Sequence, residues 1–235
     1  MGSVPTPHVM PIDRENWARE LNLSNFINAS YQLRDAQLCG EVKSILVIGV
    51  GQGLDTAVFR WRGYRITTLD IDDTFHPDVT GSCHDMSMFR DGQFDVVIAS
   101  HVLEHFPVLY LDAALAEIAR VGEFALVYLP VAGRHFHLRF APGVLGIDIS
   151  LIVDFLPFWQ KPDGVTARYC QGQHYWEIGL RGFYKADLVR RFSAKFEVLR
   201  VYRNRDWTPS QNFVLRSRRA QSARAITLPD ERTTR

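Results

Sequence analysis

The sequence feature with the clearest chemical meaning is a cluster of three glycines, Gly49, Gly51 and Gly53. The cluster follows the apolar run 45–48 and precedes a predicted helix that begins at Leu54. A strand that ends in such a turn lets the backbone approach a ligand, and the helix start offers free N–H groups to an anion. A dinucleotide fingerprint would require a further glycine in place of Leu54, so a different nucleoside ligand is favoured. The plain alternative is an ordinary strand-to-helix turn.

Two aspartates have the position and charge to bind the polar parts of such a ligand. Asp70 ends a predicted strand, 17 residues after Gly53. A carboxylate at that edge of an open sheet can accept both hydroxyl protons of a ribose, and each charge-assisted bond contributes about 1.5–3 kcal/mol. Asp85, within residues 84–89, is by itself only a weak candidate, since an aspartate near a short strand is common. Loop aspartates also cap turns, as Asp72 or Asp73 could here. Turn capping is therefore the alternative role for Asp70 and for Asp85.

Histidines supply the candidate bases, because an imidazole with a reference pKa of about 6.5 exchanges protons near neutral pH. His101 and His105 follow a predicted strand, and His174 lies farther along the chain. For His101 a catalytic and a structural role are equally open, whereas His105 more simply bonds to backbone. The pairs His135 with His137 and His174 with Glu177 have unremarkable spacing, so no metal site is predicted.

Hydrophobic patterning predicts an α/β fold with a mostly parallel sheet. Short apolar strands are predicted at residues 44–48, 64–69, 94–99 and 124–129. Helical patterns at 54–61 and 110–121 alternate with these strands, and one or two helices within 14–38 precede them. A helix at 185–192 and two strands at 196–203 and 212–217 follow, the last strands forming an antiparallel close. Such alternation indicates right-handed βαβ units.

The chain divides into four predicted parts. Residues 1–40 form an N-terminal helical cover, residues 41–217 the main domain, and residues 218–235 a disordered tail with few apolar residues. The alternation of predicted strands and helices is interrupted at residues 133–183, a segment too long for an ordinary connection. We expect it to form a helical and loop insertion after the fifth strand that covers the substrate. Within it, the apolar stretch 143–159 reads as a lid helix or, less simply, as a surface that contacts a lipid-linked acceptor.

Composition narrows the class of partner. Nucleic-acid-binding proteins usually carry an excess of positive charge, whereas this chain of 235 residues has a net charge of +1. A small or weakly charged acceptor is therefore favoured. The three cysteines lie far apart without metal or disulfide spacing, which fits reduced thiols in a cytoplasm. No apolar run reaches the roughly 18 residues of a membrane span, so no stable membrane insertion is expected. A homodimer is left open.

The order of motifs over residues 44–130 resembles the class I S-adenosylmethionine-dependent methyltransferases, in particular the type 11-like group with a Leu-Glu-His step after the fourth strand, here Leu103-Glu104-His105. The resemblance implies a Rossmann-like, doubly wound, seven-stranded sheet whose last strand is antiparallel. It implies S-adenosylmethionine as cofactor and S-adenosylhomocysteine as product. The residues it assigns to the cofactor are Gly49, Gly51, Gly53, Asp70, Ile71, Asp85, Met86 and Ser100. Val47 departs from the family, which usually carries an acid two positions before the first glycine.

The resemblance implies an enzyme that methylates oxygen, or less favourably nitrogen, on a small molecule or glycan. His101 and His174 are the candidates for activating the acceptor. The segment 171–179, rich in aromatic and hydrogen-bonding groups, is similar to one in methyltransferase-like proteins encoded with bacterial surface-polysaccharide enzymes, although core packing explains it nearly as well. A non-catalytic cofactor-binding or partner protein is the main alternative, and Val47 keeps it open. A nicotinamide-dependent oxidoreductase is disfavoured by Leu54.

Overall fold

The computed structural model describes residues 21–140 and 149–219. Its main feature is a seven-stranded sheet with the spatial order β3-β2-β1-β4-β5-β9-β8. The strands are β1 (Ser44–Ile48), β2 (Arg65–Asp70), β3 (Val79–Thr80), β4 (Phe94–Ser100), β5 (Gly122–Pro130), β8 (Phe196–Arg203) and β9 (Ser210–Ser217). A separate two-stranded hairpin contains β6 (Arg134–Phe140) and β7 (Ile149–Phe155).

Five strands of the sheet, from β3 to β5, are parallel to one another, and β9 runs antiparallel to both of its neighbours, β5 and β8. The helices are α1 (Leu23–Gln37), α2 (Leu54–Trp61), α3 (Leu111–Val121) and α4 (Lys185–Ser193). The predicted Rossmann-like architecture with an antiparallel last strand is confirmed. The helix expected within 14–21 lies almost wholly outside the described residues, as does the tail from residue 220.

Helices cover both faces of the sheet, and alternate residues of each strand bury against them. Leu46 and Ile48 of β1 pack with α3 and α4 in one apolar cluster, whereas Ile45 and Val47 pack with α1 and α2 in the other. Burial on both faces explains why the parallel strands read as continuous apolar runs. Val47, at the position where the family usually carries an acid, is a core residue of the second cluster.

The insertion differs from its prediction. In its described residues, 133–140 and 149–183, the structure contains the β6–β7 hairpin and a series of turns but no helix. The stretch expected to form a lid helix is β7 from Ile149 to Phe155. Its apolar residues recur at every second position, the period of a strand, and direct pairs such as Leu138 with Leu151 place them on one exposed face of the hairpin. Residues 141–148, where the stretch begins, lie outside the described ranges.

The cysteines differ from one another in burial. All three cysteines are free thiols, of which Cys39 and Cys83 are buried and Cys170 is exposed. Burial raises the pKa of Cys39 and of Cys83 to about 12. Of the helices in the described ranges, none combines the length and the apolar character needed to cross a membrane.

Candidate functional site

A cavity of about 380 Å³ lies at the carboxyl ends of β1, β2 and β4. This is the edge of an open α/β sheet where ligands gather, and the volume lies in the range of small-molecule sites. The walls come from the glycine turn after β1, the end of β2, the segment after β3, helix α1 and the loop after β4. The insertion adds Gln173 and His174, and the loop before β9 adds Trp207.

The glycine turn lines the cavity as predicted, with Gly49, Gly51 and Gly53 at φ angles of 79°, 53° and 71°. Side chains disfavour this left-handed region, so glycine is the natural residue here. A Cβ at Gly49 would also lie 2.5 Å from Val102 Cγ2, which fixes that position sterically. Gly53 is the N-cap of α2 and no side chain caps the helix, so its first turn can offer N–H groups to an anion.

Asp70 ends β2 and lines the cavity beside Ile71. Its Oδ2 accepts a hydrogen bond from the Val50 amide at 2.8 Å, and its Oδ1 accepts one from the Asp72 amide at 3.0 Å. These bonds fix the carboxylate against the glycine turn. Each oxygen keeps acceptor capacity, because an ionised carboxylate offers about four lone-pair sites. Asp70 can therefore accept two further donors from a ligand.

The structure does not bring Asp85 and Met86 to the cavity. A turn in which the Asp85 amide donates to the Ser82 carbonyl at 3.1 Å directs the chain away, so Asp85 is exposed and its Oδ1 accepts from the Ser87 amide at 3.2 Å. Met86 is fully buried in the core. Gly81, Ser82 and Cys83 line the cavity instead, immediately after β3. The acidic side chain that the resemblance assigned to the cofactor is thus replaced in the cavity wall by residues 81–83, which include a buried thiol.

Helix α1 supplies polar side chains that the sequence did not single out. Asn28 donates from Nδ2 to Ser100 Oγ at 2.8 Å, and Asn25 donates from Nδ2 to Gln52 Oε1 at 2.7 Å. Both asparagines and Ser100 line the cavity. The helix before the sheet therefore closes one side of the site and joins the glycine turn to the end of β4.

His101 occupies a strained position at the end of β4, with φ at 55°, which is uncommon for a residue other than glycine. Its ring lies 4.9 Å from that of Trp207, and its Nε2 lies 3.2 Å from Ser210 Oγ. Its Nδ1 lies 3.6 Å from Glu104 Oε1. The side chain thus faces the cavity between a hydroxyl and a carboxylate.

A relay of hydrogen bonds fixes the neutral tautomer of His101. Tyr202 donates its hydroxyl proton to the buried carboxylate of Asp35, so its oxygen accepts from Asn212 Nδ2 at 2.9 Å. The Asn212 oxygen then accepts from Ser210 Oγ at 2.8 Å, which leaves Ser210 to accept from His101 Nε2. With the proton on Nε2, the lone pair of His101 is on Nδ1.

Glu104 is fully buried beneath the loop after β4, and His105 and His174 approach it from the cavity side. Their Nε2 atoms each lie 4.0 Å from Glu104 Oε1. Burial raises the pKa of the Glu104 carboxyl, but the imidazoles of His101, His105 and His174 outweigh it and lower that pKa below its usual value. Burial lowers the pKa of His105, with Glu104 acting in the opposite direction.

The insertion reaches the cavity through few residues. His174 is held by Glu177, whose Oε1 lies 2.6 Å from its Nδ1, although the pair is in a turn rather than on the helix face that the sequence suggested. Tyr175 and Trp176 belong to the core, and Trp176 stacks on Phe183 at 5.1 Å. The aromatic residues of segment 171–179 thus follow the core-packing alternative.

One segment of the chain matches a known protein family. Residues 46–123 match the family described as "Methyltransferase domain". This segment is similar to methyltransferase domains. This match supports the predicted resemblance to methyltransferases, and with it the predicted enzyme class and cofactor. No curated protein is similar enough to this chain to count as a relative.

Solved structures share the fold of the methyltransferase domain at low sequence identity. The PH0226 protein from Pyrococcus horikoshii OT3 aligns over 86% of this chain and 93% of its own, with a TM-score of 0.55 and 12% identity. The glycopeptide N-methyltransferase MtfA, in complex with S-adenosylhomocysteine, aligns over 81% and 90%, with a TM-score of 0.53 and 14% identity. The Burkholderia thailandensis 1,6-didemethyltoxoflavin-N1-methyltransferase aligns over 90% and 93%, with a TM-score of 0.50 and 16% identity.

The matched segment of the methyltransferase domain ends at the start of β5. It contains the glycine turn, Asp70, His101 and Glu104, whereas His174, Trp207 and Ser210 lie beyond it. The two groups meet in one site only through the fold. From the sequence, Glu104 was identified only as part of the Leu-Glu-His step. No pattern in the neighbouring residues predicts that it is buried among three histidines.

Proposed function

We propose that this chain transfers a methyl group from S-adenosylmethionine to an oxygen atom, or less favourably a nitrogen atom, of a small molecule or saccharide. The observation that carries the proposal is the single cavity in which the glycine turn and Asp70 lie on one side and His101 on another. Such an arrangement holds a nucleoside next to a base. The acceptor atom follows from chemistry: a hydroxyl must lose its proton near the transition state, and His101 is placed to take it.

The cofactor is proposed to lie along the edge of the sheet. The methionine part contacts the turn at Gly49–Gly53, with its carboxylate at the uncapped start of α2. Asp70 accepts the ribose hydroxyls, and Ile71 packs beside the nucleoside. Because Asp85 and Met86 do not reach the cavity, the adenine edge is assigned to the backbone of residues 81–83. Ser100 lies at the sulfonium end.

The transfer step needs alignment more than covalent assistance. The acceptor oxygen attacks the methyl carbon in line with the S–C bond, the O–C bond forms as the S–C bond breaks, and the electron pair returns to sulfur. The hydroxyl proton passes to His101 Nδ1, which carries the lone pair in the neutral tautomer. The resulting imidazolium lies 3.6 Å from the Glu104 carboxylate, which stabilises it. Alignment at about 3–3.5 Å supplies most of the remaining acceleration.

The other parts of the chain are proposed to shape the acceptor end. Residues 1–40 act as a cover, a role supported by the α1 asparagines in the wall of the cavity. Residues 133–183 cover the substrate, supported by the entry of Gln173 and His174. The main domain is assigned to residues 41–217 and the tail to residues 218–235. Solved neighbours named as N-methyltransferases carry the fold at 14–16% identity, so they do not decide between oxygen and nitrogen.

Calorimetric titration with S-adenosylhomocysteine, followed by a product assay, tests the proposal. We expect the chain to bind this ligand and not NADH, and to add the mass of one methylene group to at least one member of a panel of hydroxylated small molecules and saccharides. Binding without transfer to any acceptor would support the rival, a non-catalytic cofactor-binding or partner protein. Failure to bind the ligand at all would contradict the placement of the cofactor.

A further inference from the structure

The Glu104 carboxylate lacks the partners that a buried charge requires. It is fully buried, and neither of its oxygens accepts a hydrogen bond from the described residues, although His101 Nδ1 lies 3.6 Å from Oε1. Leaving a buried charge uncompensated costs several kcal/mol by general estimates, so native proteins pair such groups or bind them to metal ions. Something that the protein chain itself does not supply is therefore expected next to Glu104.

Two histidines present unprotonated nitrogens to this carboxylate. His105 donates from Nδ1 to the Gln173 carbonyl at 3.2 Å, and His174 donates from Nδ1 to the Glu177 carboxylate at 2.6 Å. In each neutral ring the proton is then on Nδ1, and the lone pair is on Nε2. Both Nε2 atoms lie 4.0 Å from Glu104 Oε1. Lone pairs and a carboxylate that converge without a donor between them repel one another unless a cation lies among them.

We propose that Glu104, His105 and His174 bind one divalent transition-metal ion. Their ligand atoms all lie within 4.8 Å of one another, and ions of this class bind nitrogen and oxygen at about 2.0–2.2 Å, so ligand atoms around one ion are separated by about 3.3–4.2 Å. Two imidazoles and one carboxylate suit zinc, iron or manganese and not calcium or magnesium, which prefer oxygen ligands alone.

The surroundings of the histidines are those of a metal site. A ligating histidine almost always donates its other ring N–H to a carboxylate or a carbonyl, which fixes ring orientation and tautomer. Glu177 does this for His174, and the Gln173 carbonyl does it for His105. The cluster of His135 and Asp154 from the hairpin with Arg203 from β8 differs, because both imidazole nitrogens and the carboxylate have protein partners. It carries no comparable inference.

The role of the ion in methyl transfer rests on the proposed function, although its binding does not. His105 and His174 line the acceptor end of the cavity, so an ion held by them can bind the acceptor oxygen. An ion acting as a Lewis acid lowers the pKa of a bound hydroxyl. The hydroxyl proton then passes to His101, the oxygen attacks the methyl carbon, and the sulfur keeps the electron pair of the broken S–C bond. The oxidation state of the metal ion does not change during the transfer, and the total charge of the reacting groups is conserved.

The test is a titration of the tag-free, chelator-treated chain with Zn²⁺ and, separately, Mn²⁺, without cofactor or acceptor. We expect one equivalent of ion to bind, and Glu104→Gln and His174→Ala to weaken its affinity at least tenfold. Glu177→Gln, which changes only the support of His174, should weaken it about tenfold. His137→Ala is the matched control, because it removes an imidazole from the hairpin and leaves the cavity intact.

Titration with S-adenosylhomocysteine on the same samples separates this proposal from the proposed function. Wild-type chain that binds S-adenosylhomocysteine but neither ion would overturn the metal site and leave the cofactor site standing. Equal ion affinity in wild type, Glu104→Gln and His174→Ala would also overturn it. Circular dichroism of each variant establishes that the fold is retained. An ion-dependent rise in melting temperature in the wild type and the control, absent from Glu104→Gln, would support it through an independent measurement.

Discussion

The two ends of the cavity are built in different ways. The cofactor end comes from the turns after β1, β2 and β3, which are close in sequence, and its chemistry is largely that of backbone N–H groups and one carboxylate, Asp70. The acceptor end joins the loop after β4, the insertion and the segment before β9, and its chemistry is that of side chains. In the proposed function, the cofactor is therefore held by a local motif, whereas the acceptor is met by distant segments that only tertiary packing brings together.

This difference also appears in the polar contacts. At the cofactor end, Asp70 is fixed by the amides of its own neighbourhood, Val50 and Asp72. At the acceptor end, the tautomer of His101 depends on a chain of bonds that reaches Asp35 in helix α1. Substitutions at the cofactor end should therefore act on binding, and those at the acceptor end on turnover. The following predictions are ordered from the largest expected effect to the smallest.

The change His101→Gln should lower turnover about 10²–10⁴-fold, the usual contribution of a positioned base, and should change S-adenosylhomocysteine affinity much less. Steady-state kinetics with the acceptor identified by the product assay, together with calorimetry, measures both. Turnover equal to wild type would remove His101 from the mechanism. An equal loss in affinity and turnover would erase the distinction between the two ends.

The change Gly49→Ala should destabilise the fold and disturb the cofactor end. The left-handed backbone costs alanine about 1–2 kcal/mol, and the contact of the new Cβ with Val102 adds about 1–3 kcal/mol. Gly63→Ala is the matched control, because Gly63 has a φ of 87° and a Cβ at that position would meet no atom within 4 Å. Denaturant unfolding should separate the two variants by the steric contribution. Equal free energies of unfolding would show that the turn moves freely away from Val102.

The change Asp70→Asn should weaken S-adenosylhomocysteine affinity by about tenfold or more, because charge-assisted bonds to ribose contribute about 1.5–3 kcal/mol. Asp73→Asn is the control, since Asp73 is an exposed aspartate a few residues away that does not line the cavity. Calorimetry compares the two variants. Should both bind like wild type, the ribose would have to be held by another group.

The change Ser210→Ala should lower turnover only about twofold to tenfold, the value of one hydrogen bond of about 0.5–1.5 kcal/mol. It removes the acceptor for His101 Nε2 and so frees the choice of tautomer without removing the base. Cofactor affinity should stay at the wild-type value. A fall in turnover as large as that of His101→Gln would mean that the tautomer, and not the imidazole itself, limits the reaction.

The sequence predicted much of the sheet because local patterns determine it. The boundaries of β1, α2 and β8 match the predicted ones, and the other predicted strands of the sheet differ at their ends by one or two residues. The glycine turn and Asp70 line the cavity for the same reason, since a strand followed by a turn fixes their place at the sheet edge. Asp85 does not reach it, because a single turn after Ser82 reverses the direction of the chain.

The acceptor end could not be predicted in the same way. Glu104 has an unremarkable sequence context, and its meaning comes from His174, which is 70 residues away and meets it only in the fold. The insertion shows a related limit. Its apolar run read as a helix, but the two-residue period and the pairing of β6 with β7 make it a hairpin. The same two-residue alternation appears in β6, at Phe136, Leu138 and Phe140, and its pairing with β7 settles the choice between the two interpretations.

The uneven exposure of the three thiols makes the chain convenient for optical work. At neutral pH a thiol-reactive fluorophore requires an accessible sulfur with some thiolate, and burial with a pKa of about 12 denies both at Cys39 and Cys83. Partial burial also raises the pKa of Cys170, but its sulfur is accessible, and the residue lies three positions before Gln173 in the wall of the cavity. One dye molecule per chain can therefore be attached without mutagenesis, close in sequence to the wall of the cavity.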